Sequence, residues 1–104
     1  MLESAIFRAL ADPTRRAVFE RLAQQEMNVS ELTSGFQVSQ PAISQHLRAL
    51  RKAGLVAVRW EGRHAYYRAE TGGLAPLADW LTIYNAFWRE RFSHLRQLLK
   101  KIDP

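Results

Sequence analysis

Cysteine is missing from all 104 positions of the chain. That absence removes disulfides, thiolate metal sites and cysteine nucleophiles together, and it agrees with a reducing, cytoplasmic setting. Carboxylates are scarce: ten Asp and Glu stand against fifteen Lys and Arg, for a formal net charge of +5. None falls between Glu31 and Glu61. Long apolar runs are also missing. The longest uncharged aromatic stretch, Trp80 to Trp88, is interrupted by Thr82, Tyr84 and Asn85. Nothing approaches the roughly 20 apolar residues of a membrane helix, and the first residues do not read as a signal peptide. There is no Ser-His-Asp constellation in a recognisable context, no phosphate loop, no internal repeat and no low-complexity segment. The expectation is a non-enzymatic protein without a cofactor or a membrane partner.

What remains is a chain of single-domain length, 1–104, that is 47% hydrophobic. Twelve of the fifteen cations are arginine. A basic domain favours an anionic partner, nucleic acid first, with plain solubility as the alternative.

The chain is organised around residues 38–55. Ser39 is placed to cap a helix, Pro41 suits its first turn, and Gly54 follows its last periodic residue. Ile43, Leu47 and Leu50 recur at helical spacing as a buried stripe. Gln40, Ser44, Gln45, Arg48 and Lys52 fall on other faces and offer amide, hydroxyl and cationic groups, the chemistry of base edges and phosphates. Taken alone, this also describes an ordinary amphipathic surface helix. Its surroundings decide between the two.

Upstream, the spacing of Leu2, Ile6, Phe7 and Leu10 predicts a short first helix. Asp12–Pro13 ends it and starts a second, with Ala17, Val18, Leu22 and Ala23 buried, running to about Gln25. Asn28–Val29 reads as a connection, and Ser30 as the cap of a third helix, Glu31 to about Phe36. Two helices joined by a short turn containing Gly35 form a helix-turn-helix over about 30–53, with Leu32, Phe36, Val38, Ile43 and Leu47 fixing its angle. Downstream, about 55–69, the period shortens. Leu55 to Trp60 forms one strand, Glu61–Gly62 a two-residue turn and His64 to Arg68 a second strand. Arg63 and His64 sit at the tip of this hairpin, and Arg59 and Arg68 on its flanks. The fold class is therefore mainly α with a β-hairpin wing: a winged helix-turn-helix, in which the carboxylate-free helix reads DNA.

From about 74 to 102 the pattern is helical again. Leu77, Trp80, Leu81, Tyr84, Phe87, Trp88, Phe92, Leu95, Leu98, Leu99 and Ile102 crowd one broad face. A domain of this size cannot cover such a helix, so a second copy is the economical partner. Leu2 and Ile6 of the first helix are expected beside it. Trp80, Tyr84 and Trp88 also fit a pocket for an unknown small-molecule effector, and the aromatic face equally suits a protein-interaction module with incidental basic charge.

Three segments resemble one family. Ala9–Leu10–Ala11–Asp12–Pro13–Thr14–Arg15–Arg16 is similar to the opening of the ArsR/SmtB bacterial transcriptional regulators. Val38 to Leu50 resembles their recognition helix, and Leu55 to Arg68 their wing. The resemblance implies a homodimeric repressor that pairs through its first and last helices and binds double-stranded DNA at a roughly palindromic operator. It places Gln40, Ser44, Gln45 and His46 at base edges and Pro41 beside them. Ser39, Thr33, Arg48, Lys52 and Arg16 fall at phosphates, with Arg63 on the wing. Leu2, Ile6, Leu77, Trp80, Leu81, Tyr84, Trp88, Leu95 and Leu98 line the dimer interface. Many members release DNA on binding a metal. Here Asp79 begins the last-helix metal pattern, but Leu81, Phe92 and Leu95 stand where later ligands are expected, and the third helix has no cysteine. His46, His64 and His94 are scattered. The expectation is a member with no metal at either familiar site.

Overall fold

A computed structural model describes residues 2–102, without the side chain of Ile102. Five helices run α1 (Leu2–Ala11), α2 (Pro13–Gln24), α3 (Val29–Thr33), α4 (Gln40–Lys52) and α5 (Ala75–Ile102). A hairpin of β1 (Val56–Glu61) and β2 (His64–Ala69), followed by a 3₁₀ turn (Thr71–Leu74), separates α4 from α5.

Local chemistry sets the boundaries. The Asp12 carboxylate accepts the Arg15 N–H at 2.9 Å and Pro13 opens α2. The third helix begins earlier than Ser30. Asn28 is its cap, its side-chain oxygen accepting the Glu31 N–H at 2.8 Å while the Glu31 carboxylate accepts the Asn28 N–H at 3.1 Å. Two orphan donors are satisfied reciprocally there, which Ser30 could not match, and α3 stops at Thr33 rather than near Phe36.

Val18, Leu32, Ile43, Leu50 and Leu55 are fully buried, joined by Ile6, Leu22 and Leu47, with Phe36 and Val38 packed on the edge. The buried side of α2 differs from the expected one. Phe19 reaches the core, whereas Ala23 turns to solvent. Ile6 also differs: it is 2% exposed within the single chain. Together with Ala9 it faces inward where α1 packs on α2 and α5, so it belongs to the protomer's own core and not to a dimer face. Leu77 is likewise half-buried against this core.

The two strands are antiparallel with Val56 opposite Ala69 and Glu61 opposite His64. The turn is therefore Gly62–Arg63, one residue later than Glu61–Gly62. Gly62 has φ +63°, the left-handed first loop position that a type II′ turn reserves for glycine. Asn28–Val29, expected as a connection, supplies the cap and first residue of α3, and Met27 just before it pairs with the hairpin. Met27 and Tyr67 exchange backbone hydrogen bonds at 3.0 and 2.8 Å.

Candidate nucleic-acid interface

Both ends of α4 are fixed by backbone chemistry. The Ser39 hydroxyl accepts the Ala42 N–H at 3.2 Å, leaving its own proton free to donate. At the far end Leu55 N–H donates to Leu50 C=O and Gly54 N–H to Arg51 C=O, with Gly54 at φ +78°. This is a Schellman stop with glycine at the left-handed position. Gly73 lies directly on it: a Cβ there would come within 2.0 Å of the Gly54 carbonyl oxygen. The end of α4 and the approach to α5 thus meet backbone to backbone.

Ile43, Leu47 and Leu50 hold the inner face of α4 in the core. At 3.6 residues per turn, Gln40, Pro41, Ser44, Gln45, Arg48 and Lys52 share an outer arc about 140° wide. All six are exposed except half-buried Ser44. Arg51, exposed and within that arc, belongs with them although the sequence reading passed over it; its position on the helical wheel was the available signal. His46 does not belong. It is half-buried on the body side, with Nδ1 enclosed and without a hydrogen-bond partner. It lies near Asp12, whose carboxyl is held below its ordinary value chiefly by the Arg15 N–H, with smaller pulls from His46 and Arg15. A base contact from His46 would require it to leave this packing.

The remaining candidates separate. Thr33 spends its proton on the Val29 carbonyl at 2.7 Å, which turns it back on its own helix. One Arg16 nitrogen donates to the Leu10 carbonyl at 3.0 Å at the end of α1, while the side chain stays exposed. Arg63 is exposed at the hairpin tip and has no carboxylate partner among the described residues. Arg59 and Arg68 are not free cations. Arg59 binds Glu26 at 2.6 Å and Glu61 at 3.0 Å and lies over the Tyr66 ring, and Arg68 binds Glu70 at 3.1 Å. The guanidinium of Arg59 holds Glu26 below the ordinary carboxylate range.

The long α5 carries a second surface. Phe7 meets Trp80 edge-on at 5.1 Å, and Trp80 leans on Tyr84 at 4.7 Å. Leu81, Trp88, Leu95 and Leu98 are between 43% and 52% exposed. Leu2, at 73%, is also open. Among the described residues no group of three or more His, Asp or Glu is placed to hold a metal, and no helix is long and apolar enough to cross a membrane.

The family profile described as "Bacterial regulatory protein, arsR family" matches residues 12–58, from the cap of α2 into β1. The HTH-type transcriptional regulator Rv2034 of Mycobacterium tuberculosis is 42% identical over 93 residues, covering 89% of this chain and 84% of the relative. The transcriptional repressor SdpR of Bacillus subtilis is 32% identical over 76 residues, covering 73% and 84%. An ArsR-like transcriptional regulator from Rhodococcus sp. RHA1 superposes with a TM-score of 0.75 at 33% identity, over 93% of this chain and 92% of that one. With its capped recognition helix and hairpin wing, the chain belongs to the arsR family of bacterial regulatory proteins and is a DNA-binding transcriptional regulator.

Proposed function

We propose that the chain acts as a homodimeric repressor on a roughly palindromic operator. The observation that carries this reading is the outer arc of α4. Gln40, Ser44 and Gln45 supply base-edge donors and acceptors. Ser39, Arg48, Arg51 and Lys52 supply phosphate contacts, and no carboxylate of α4 competes with them. Arg63 extends the same contacts along the wing. The name of SdpR supports repression as the outcome.

Pairing through α5 supplies the second half-site reader. A single α4 fits one major-groove segment, and a two-fold axis presents two. The exposed stripe from Trp80 to Leu98 supports that axis. An open groove of about 560 Å³ beside Trp80, Tyr84, Asn85 and Trp88 is where a small-molecule effector would be held once a partner helix closes it.

Salt dependence tests the reading. With about four phosphates neutralised per protomer, the logarithm of the binding constant should fall with the logarithm of salt concentration at a slope near −7. Duplex binding indifferent to salt, or absent, would favour a protein-interaction module built on α5 instead.

A further inference from the structure

The hairpin carries one large apolar side chain that neither the core nor the α5 surface accounts for. Trp60 is 69% exposed. Every other exposed large hydrophobic among the described residues lies on α1 or α5. Dimerisation through those helices would cover that set but involves a different element from the hairpin.

The register tells which way the indole faces. Trp60 is opposite Ala65, on the same hairpin face as Val56, Ala69 and Tyr67, which pack in or against the core. It therefore continues the body-facing side of the hairpin past the edge of the body, two residues short of Gly62. The alanine methyl opposite is too small to cover an indole. The other hairpin face is a closed network, with Arg59 held by Glu26 and Glu61 over Tyr66. The Trp60 face has no such ion pair; its chain neighbour Arg59 is already paired on the other face, and the nearest cation without a carboxylate partner among the described residues is Arg63 at the tip. A flat apolar ring with one N–H donor beside an unpaired arginine suits a sugar–phosphate chain: the ring covers deoxyribose carbons and the N–H meets a phosphate oxygen.

We infer that Trp60 is a DNA-contacting residue of the wing, its indole lying on the sugar–phosphate backbone beside Arg63. The inference rests on the regulator reading above, and its test separates the two. A labelled random-sequence duplex of about thirty base pairs, roughly three helical turns, is titrated with the wild type, W60A, W60F and R63A at several salt concentrations. W60A should bind about tenfold more weakly, with W60F between it and the wild type. The W60A salt slope should stay at the wild-type value because no cation is lost, whereas R63A, which removes one cation from each protomer, should make the dimer's slope shallower by about 2. The wild-type minus W60F emission difference should change when duplex is added. Wild-type affinity in W60A, with that emission difference unmoved, overturns the inference and leaves the regulator reading standing. Weakened binding accompanied by a lower unfolding midpoint or altered sedimentation of W60A makes Trp60 a protein contact and also overturns it. A wild type that binds no duplex overturns both.

Discussion

Gly73 has no room for a methyl group. Its Cβ would fall 2.0 Å from the Gly54 carbonyl oxygen, a backbone atom that cannot rotate away. Gly73→Ala should destabilise the fold by about 1–3 kcal/mol, seen as a lower denaturant midpoint with an unchanged slope. In the binding arc, Gln45→Ala should weaken operator binding by about 1–3 kcal/mol and relax base choice at one position, measured by selection from a random pool against the wild type. Single residues were unevenly legible. Asp12, Ser39 and Gly54 announce themselves because capping needs only local chemistry. Asn28 was equally visible through Glu31 three residues on, but Ser30 is also a good cap by type, and only the reciprocal hydrogen bonds decide between them. His46 and Ile6 could not be placed by local pattern. His46 sits beside the apolar stripe on the helical wheel, and what it meets there, the start of α2, is a long-range fact. The contact between Gly54 and Gly73 is of the same kind.

Among the elements, the wing is fastened more firmly than a hairpin alone. Arg59 ties β1 to the segment before α3, and Met27 adds a backbone pair to β2. The Arg59 guanidinium lowers the Glu26 carboxyl, as the cap of α2 lowers Asp12. Both groups titrate lower in the folded chain than in the unfolded one. Their stabilisation is therefore complete above the ordinary carboxylate value, and it is lost as pH falls through the depressed folded values. The thermal midpoint should hold from neutrality to about pH 5 and decline below about pH 4, with Glu26→Gln removing part of the decline. A midpoint unaffected by acid would show that neither pair contributes. The hairpin was legible from alternation and its glycine. Its register slipped by one because Glu61–Gly62 and Gly62–Arg63 are both acceptable two-residue loops, and Glu61 is claimed by its pairing with His64 and its contact with Arg59. The Arg59–Glu61 and Arg68–Glu70 pairs lie two residues apart, the spacing of one strand face, and were within reach of the strand period, whereas the tie from Arg59 to Glu26, 33 residues away, was hidden because charge counting along a chain does not reveal which distant carboxylates fold beside it.

For the molecule as a whole, the described residues span 64 × 30 × 20 Å, the long axis being set by a 28-residue helix that its own chain covers only near its start. Trp88→Glu and Leu95→Glu place a charge on the exposed stripe without touching the protomer core. Each should turn a dimer into monomers in sedimentation while leaving the helical signal of the remaining domain intact. Unchanged dimers in both would move the interface elsewhere. The helix and its apolar face were plain from periodicity, and so was the overall winged arrangement. What periodicity does not tell is which part of the stripe is already occupied at home, as Leu77 and Ile6 are.

In the proposed dimer, the uncovered length of α5 would also set how the protein responds to its own abundance. Side chains such as Leu95, Leu98 and Leu99, between 43% and 55% exposed in one chain, would contribute to stability only once another chain arrives. If pairing and folding are joined in this way, resistance to unfolding is a property of the solution rather than of the molecule. Each tenfold dilution would subtract about 1.4 kcal/mol from it. A cell that makes few copies would then hold a population both poorly paired and readily degraded, so that synthesis rate governs how long each copy survives.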